Sequence, residues 1–192
     1  TLSNSKSSKN GGAIYNAGNL TVINATIANN KATIGGAIFI DKFNDYNYNI
    51  KFQNVVFKDN EASGENNHAG GAIYAQAVGG QILIDNCSFI SNSVSKNFAG
   101  GAIHALQLID GIKITNSKFI NNTANSPENY GGGAICFIGG NTERMGKLDI
   151  SDSVFEDNKD NVAGAIYIRG STLDISYSAL INNGNTAIYK GV

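Results

Sequence analysis

Apolar residues recur at every second position in short runs along the chain: Leu20/Val22, Ile82/Ile84, Ile112/Ile114 and Leu148/Ile150. A period of two belongs to β-strands with one buried face, and no run shows the 3.6 period of a helix. Each run sits inside a longer unit of the form apolar-x-apolar-x-Asn-small-x-apolar-x-x-Asn. The unit reads "LTVINATIANN", "IKFQNVVFKDN", "ILIDNCSFISN", "IKITNSKFINN", "LDISDSVFEDN" and "LDISYSALINN". A second unit, Gly-Gly-Ala-Ile, precedes each of the six. It occupies Gly11–Ile14, Gly35–Ile38, Gly70–Ile73, Gly100–Ile103 and Gly132–Ile135, then weaker forms at Ala163–Ile166 and Asn185–Ile188. The opening "LSNSKSSKN" supplies Asn4 and Asn10 of a further partial copy.

The distance between copies varies while the spacing inside each unit hardly moves, so variable loops hang on fixed strands. A leucine-rich solenoid needs near-constant repeats with a returning helix, and a propeller blade needs four strands in about 40 residues. Neither fits. The pattern predicts an all-β chain with no substantial α-helix: a right-handed parallel β-helix of about seven coils, some 30 Å long at the ordinary strand spacing. Residues 1–192 read as a single β-helix segment of a longer repeat-containing protein, entered in mid-repeat.

Stacked coils turn recurring positions into ladders. Ile14, Ile38, Ile73, Ile103, Ile135, Ile166 and Ile188 form one expected buried column, and Ile27, Phe57, Phe89, Phe119, Phe155 and Leu180 another at a corner. Asn30, Asn60, Asn92, Asn122, Asn158 and Asn183 are expected to close each corner, bonding to the coils above and below with left-handed backbones. An inner column of Asn24, Asn54, Asn86, Asn116 and Asp152 is expected to do the same, with Tyr177 as its departure. The Gly pairs are expected to let the chain turn tightly between faces.

Composition agrees with strands and turns: 23 Gly, 28 Asn, one Pro and no Trp, a mixture that disfavours helices. A net charge of −1 leaves no basic stripe for nucleic acid. No apolar run reaches the ~20 residues of a membrane span, and "TLSNSKSSKN" lacks the apolar middle of a signal peptide. Any signal or anchor is expected outside these residues.

Gly-Gly-Ala-Ile followed by Phe-x-x-Asn resembles the repeat of chlamydial polymorphic membrane proteins. The Asn-rich wording "GGAIYNAGNLTVINATIANN" is similar to adhesin-like proteins of methanogenic archaea. The resemblance spans nearly the whole chain, although the first copy has Ser7 where the Phe belongs and the last copies lose their Gly pair. It implies a right-handed β-helix in a surface-exposed or secreted protein whose role is attachment to other cells or surfaces. It carries no catalytic residues and no cofactor.

Candidate sites are columns rather than motifs. Tyr15, Phe39, Tyr74, His104, Cys136, Tyr167 and Tyr189 alternate with the Ile ladder and are expected to face outward. The Ala column of Ala13, Ala37, Ala72, Ala102, Ala134, Ala165 and Ala187 is expected beside them. Two readings stand: rings that merely stiffen the sheet, or a platform for sugars or a partner's apolar patch. His68, Phe98 and Tyr130 stand two residues before a Gly pair in three successive coils with longer corner loops, either as binding residues or as corner caps. The expected ligand is a glycan or a surface protein of another cell; the alternative is a passive stalk. Nucleic acid and direct membrane insertion are not expected, and end-to-end self-association is.

Other chemistry fits poorly. Cys87 and Cys136 lie two coil steps apart, about 9.6 Å along the axis and beyond the ~7 Å Cα limit of a disulfide, so free thiols are expected. Two Cys and two His make no zinc spacing. Carboxylate pairs for a glycosidase or lyase reduce to Asp152/Glu156, Glu61/Glu65 and the distant Asp59/Asp157, so the expectation is no enzyme. Of four sequons, Asn24 and Asn86 are expected to be poor glycan acceptors inside a ladder, while Asn19 and Asn121 lie at turns.

Overall fold

The structure, a computed structural model, describes residues 1–42, 47–64, 68–96, 98–127, 130–140, 145–184 and 186–191, with Phe98 described by its backbone alone. Among these residues every regular element is a strand and every strand pair is parallel. The architecture is a parallel β-helix. One face stacks seven strands in chain order: Ile14–Asn16, Ile38–Ile40, Ile73–Gln76, Ile103–Leu106, Ile135–Ile138, Ile166–Arg169 and Ile188–Gly191. Seven strands in sequence order mean seven coils.

The long face begins with the short strand Leu2–Ser3, paired to the first of two nine-residue strands, Leu20–Ala28 and Ile50–Lys58. From the third coil onward the same span divides in two, as in Ile82–Asp85 and Ser88–Ile90. Two smaller sheets complete the wall. A corner sheet stacks Lys31–Ala32, Glu61–Ala62, Ser93–Val94 and Thr123–Ala124. A flap sheet stacks His68–Gly70, Phe98–Gly100 and Gly131–Gly132.

Register follows the repeat. Ile14 pairs with Ile38, Ile38 with Ile73, and the column continues through Ile103, Ile135 and Ile166 to Ile188. Its central members are buried against Phe52, Ile84, Ile114 and Ile150 from the opposite face. Phe57, Phe89, Phe119 and Phe155 stack face to face at 4.6 Å with interplanar angles of 7°, 2° and 0°. That spacing is the strand spacing itself, because identical rings in register have nowhere else to go.

The corner Asn column is a fully used amide ladder. In Asn30, Asn60, Asn92, Asn122 and Asn158, the backbone N–H and the Nδ2 both donate to Oδ1 of the Asn one coil on, at 2.9–3.1 Å. The second Nδ2 hydrogen goes back one coil, to the carbonyl of Ile27 from Asn60 and of Phe57 from Asn92. Each interior amide thus spends both donors and both acceptor positions, which is why these polar side chains tolerate complete burial.

The left-handed residue is not the ladder Asn but the one before it: Asn29, Asp59, Ser91, Asn121, Asp157 and Asn182 all have φ between 52° and 56°. The expectation of left-handed ladder residues is corrected by one position. The inner column does take the left-handed conformation at its own positions, Asn24, Asn54, Asn86, Asn116 and Asp152 having φ between 49° and 55°. The Gly pairs turn the chain in the first two coils, where Gly11 and Gly35 have φ of 65° and 64°, and they also meet a second need. A Cβ on Gly101 would stand 2.0 Å from the carbonyl oxygen of Gly133 and 2.6 Å from the Thr123 nitrogen. What the position needs is close approach of successive coils, not a positive φ.

Candidate functional site

The chain enters the short face through a doubled acceptor. The N–H groups of Ala72 and Ile73 both donate to the Ala102 carbonyl, at 2.9 Å each, and the pattern repeats one coil on with Ala102, Ile103 and Ala134. Two donors on one carbonyl add a residue to the count, as in a bulge, and interrupt the alternation of faces. Ala and Ile therefore both point inward. Ala37, Ala72, Ala102, Ala134 and Ala165 belong to the main core, which corrects the expected outward Ala strip.

The ring column does lie opposite the Ile ladder, but most of it is buried. Phe39, Tyr74, His104, Cys136 and Tyr167 are each 5 % exposed or less, and only the end members Tyr15, at 55 %, and Tyr189, at 45 %, reach water. The expected open aromatic strip is corrected on this point. Over His104, Cys136 and Tyr167 the cover is the flap sheet. His68 packs edge-on against His104 at 5.2 Å, and Tyr130 against Tyr167 at 5.7 Å. Phe98 is in register with His68; its side chain lies outside the described residues. The two candidate columns thus meet each other, and Tyr130, Cys136 and Tyr167 share a satellite core with Ala163 and Val162.

Within the column the rings stack coil on coil. Tyr15 lies 5.3 Å from Phe39, Phe39 5.2 Å from Tyr74, and Tyr167 5.4 Å from Tyr189 at 4°. Tyr74 donates to Gln76 Oε1 at 3.0 Å and Tyr15 donates to Asp41. Arg169 stands 5.0 Å from the Tyr130 ring centroid and donates to its hydroxyl. Burial pushes the Tyr74 hydroxyl up, and the Tyr167 hydroxyl to about 12. Loss of water also lowers the His68 imidazole below its usual range. Every one of these shifts favours the neutral form, the behaviour of a packed interior.

Three of the candidate carboxylates serve backbone needs, and Glu61 pairs with Lys31 at 2.6 Å. Asp59, Asp152 and Asp157 all occupy left-handed positions, where Asp is tolerated better than most side chains; Glu65 lies outside the described residues. Cys87 and Cys136 are free and buried, as their coil separation required. Among the described residues no group of three or more His, Cys, Asp or Glu is placed to hold a metal ion.

The column of Asn24, Asn54, Asn86 and Asn116 lies on the exposed side of the long face. Asn54 Nδ2 bonds Asn24 Oδ1 at 2.9 Å, and Asn86 Nδ2 bonds Asn54 Oδ1 at 2.7 Å. Beside it runs a serine ladder that sequence reasoning missed. The N–H groups of Cys87, Ser117 and Ser153 donate to the hydroxyls of Ser117, Ser153 and Ser178, each at 3.1 Å, and each Ser hydroxyl donates to the carbonyl two residues earlier. The signal was present as the small residue after each column Asn, Asp152 or Tyr177.

The fold thus defines a solenoid whose repeats contribute matching rungs to continuous ladders. A family model described as the Chlamydia polymorphic membrane protein (Chlamydia_PMP) repeat matches residues 54–76. That span holds Phe57, Asn60 and Gly70–Ile73, the residues that recur in the other coils, so the chain carries repeats of the polymorphic-membrane-protein type. No curated protein and no solved structure matches the chain.

Proposed function

We propose that this chain is a non-catalytic adhesion module of a cell-surface or extracellular protein, binding a glycan or a protein on another cell or surface. The observation that carries the reading is the repeat match at residues 54–76, set in a scaffold whose coils are bonded rung by rung. Such a scaffold holds exposed corner groups at fixed separations, which is what a multi-point contact with another surface needs. Net charge near zero gives nucleic acid no electrostatic reason to bind.

A second reading, a stalk that displays a distal domain, gains support from the burial of Phe39, Tyr74, His104 and Tyr167, because rings committed to the interior are lost to ligands. A glycan array and a pull-down with the purified chain test both. Specific capture in either supports adhesion, absence of capture in both supports the stalk, and turnover of any polysaccharide would overturn both.

A further inference from the structure

We infer that the shallow cleft lined by Lys51, Leu83, Ile84, Asp85, Lys113 and Thr115 binds an acidic polysaccharide carrying one carboxylate per disaccharide; the inference rests on the adhesion reading and names its glycan class. The cleft lies on the outer side of the long face, across the second, third and fourth coils, with further coils paired on either side. It holds about 320 Å³, within the range of small-ligand sites. Two columns in register build it: Lys51, Leu83 and Lys113, and beside them Gln53, Asp85 and Thr115.

Charge alternates along the stack. Among the described residues neither Lys51 nor Lys113 forms an ion pair, whereas Lys147 of the next coil is held by Asp174 at 2.6 Å and by Asp149 at 3.6 Å. Two cations thus face outward without a pairing carboxylate, two coil steps or about 9.6 Å apart along the axis. That separation is close to the length of one disaccharide in an extended β-linked chain, so carboxylates on alternate sugars reach both ammonium groups. The sugar between them meets Leu83 and Asp85. Leu83 is 38 % exposed and seats the C–H face of a ring. Asp85 Oδ1 accepts from Thr115 Oγ1 at 2.7 Å and Asn116 Nδ2 at 3.1 Å, bonds that hold its carboxyl below the usual range, while Oδ2 receives only a longer bond from Gln53 at 3.4 Å. Oδ2 therefore has room for a sugar hydroxyl or amide N–H, and its charge repels an anion placed there. A cation, then an apolar and anionic coil, then a cation selects a chain of alternating charged and neutral sugars over one charged at every sugar.

The test is a low-salt titration of the 192-residue chain, followed by NMR, with four probes: a hexasaccharide of alternating glucuronic acid and N-acetylglucosamine, hexagalacturonate, the neutral hexamer of N-acetylglucosamine, and poly-glutamate. The alternating hexasaccharide is expected to bind tightest, to shift resonances of Leu83 and Thr115, and to weaken as salt is added. Lys51→Gln and Lys113→Gln should each weaken it about tenfold, the scale of one lost bond to a charged group, and Leu83→Ser several-fold. Lys118→Gln, an exposed position on the same face outside the cleft, should leave it unchanged, and Asp85→Asn should narrow the preference over hexagalacturonate. Binding indifferent to Lys51→Gln and Lys113→Gln overturns the assignment and leaves the adhesion reading standing. Equal or tighter binding of any of the other three probes has the same meaning, as does no binding of any probe with a protein captured in the pull-down. No binding of any probe and no capture overturns both.

Discussion

Asn92 gives its backbone N–H and one Nδ2 hydrogen to a single atom, Oδ1 of Asn122, at 3.0 Å each, while Asn122 Nδ2 returns a bond to the Phe89 carbonyl at 2.9 Å. Asn122→Ala strands both Asn92 donors inside the wall. With each unsatisfied buried group costing about 1–3 kcal/mol, the loss should be about 3–5 kcal/mol. Asn122→Asp should cost at least as much, since a buried carboxylate cannot donate to Asn158. Urea unfolding checks this, with the exposed Asn125→Ala as the near-neutral comparison; a loss under about 1 kcal/mol for Asn122→Ala contradicts the ladder's energetic role.

Phe119 lies between Phe89 and Phe155, 4.6 Å from each. Removing the ring opens a cavity that the two fixed neighbours cannot fill, so Phe119→Ala should lose about 3–5 kcal/mol and Phe119→Leu clearly less. Thermal melts of the two variants decide the order.

Gly101 and Gly18 separate two roles of glycine. A Cβ at Gly101 meets the Gly133 carbonyl oxygen at 2.0 Å, whereas one at Gly18 meets nothing within 4 Å. Gly101→Ala should strongly destabilise the fold or prevent it, and Gly18→Ala should leave stability unchanged or raise it by up to about 1 kcal/mol through the unfolded chain. Equal melting temperatures for the two variants would falsify the close-approach argument.

Burial holds His68 below its ordinary pKa. The unfolded chain therefore takes up protons near pH 6.5 that the folded chain refuses, so stability is complete above that pH and declines as pH falls through the depressed folded value. Urea midpoints should drop between pH 7.5 and pH 5, and His68→Phe should flatten that slope. A slope identical in the variant would assign the proton uptake to another group.

Cys87 and Cys136 are buried, and burial pushes both thiols up. Neither should react with a soluble thiol reagent at pH 7 until urea unfolds the chain. Prompt labelling of either under native conditions contradicts the packing around it.

The columns were legible because each position is written six or seven times, and a recurring Ile, Phe or Asn can be aligned without knowing any contact. The direction of the Tyr74 and His104 column was legible too, since alternation sends it away from Ile73 and Ile103. Its burial was not. That depends on the flap sheet lying over His104, Cys136 and Tyr167, and a contact between two sheets has no period to read. The Ala72 error has a local cause: two N–H groups sharing the Ala102 carbonyl cost the strand one step of alternation, and no side-chain pattern records a shared acceptor.

The bonds that join coil to coil, from the Asn rungs to the pairs linking Ala102 with Ala134, point along the stack. Tension applied end to end therefore loads the coil interfaces in series, each bearing the full force, and the weakest yields while its neighbours stay closed. Tension applied crosswise is divided among seven coils at once. A tether built this way lengthens by shedding whole turns under an axial pull and resists shear from the side as a single beam.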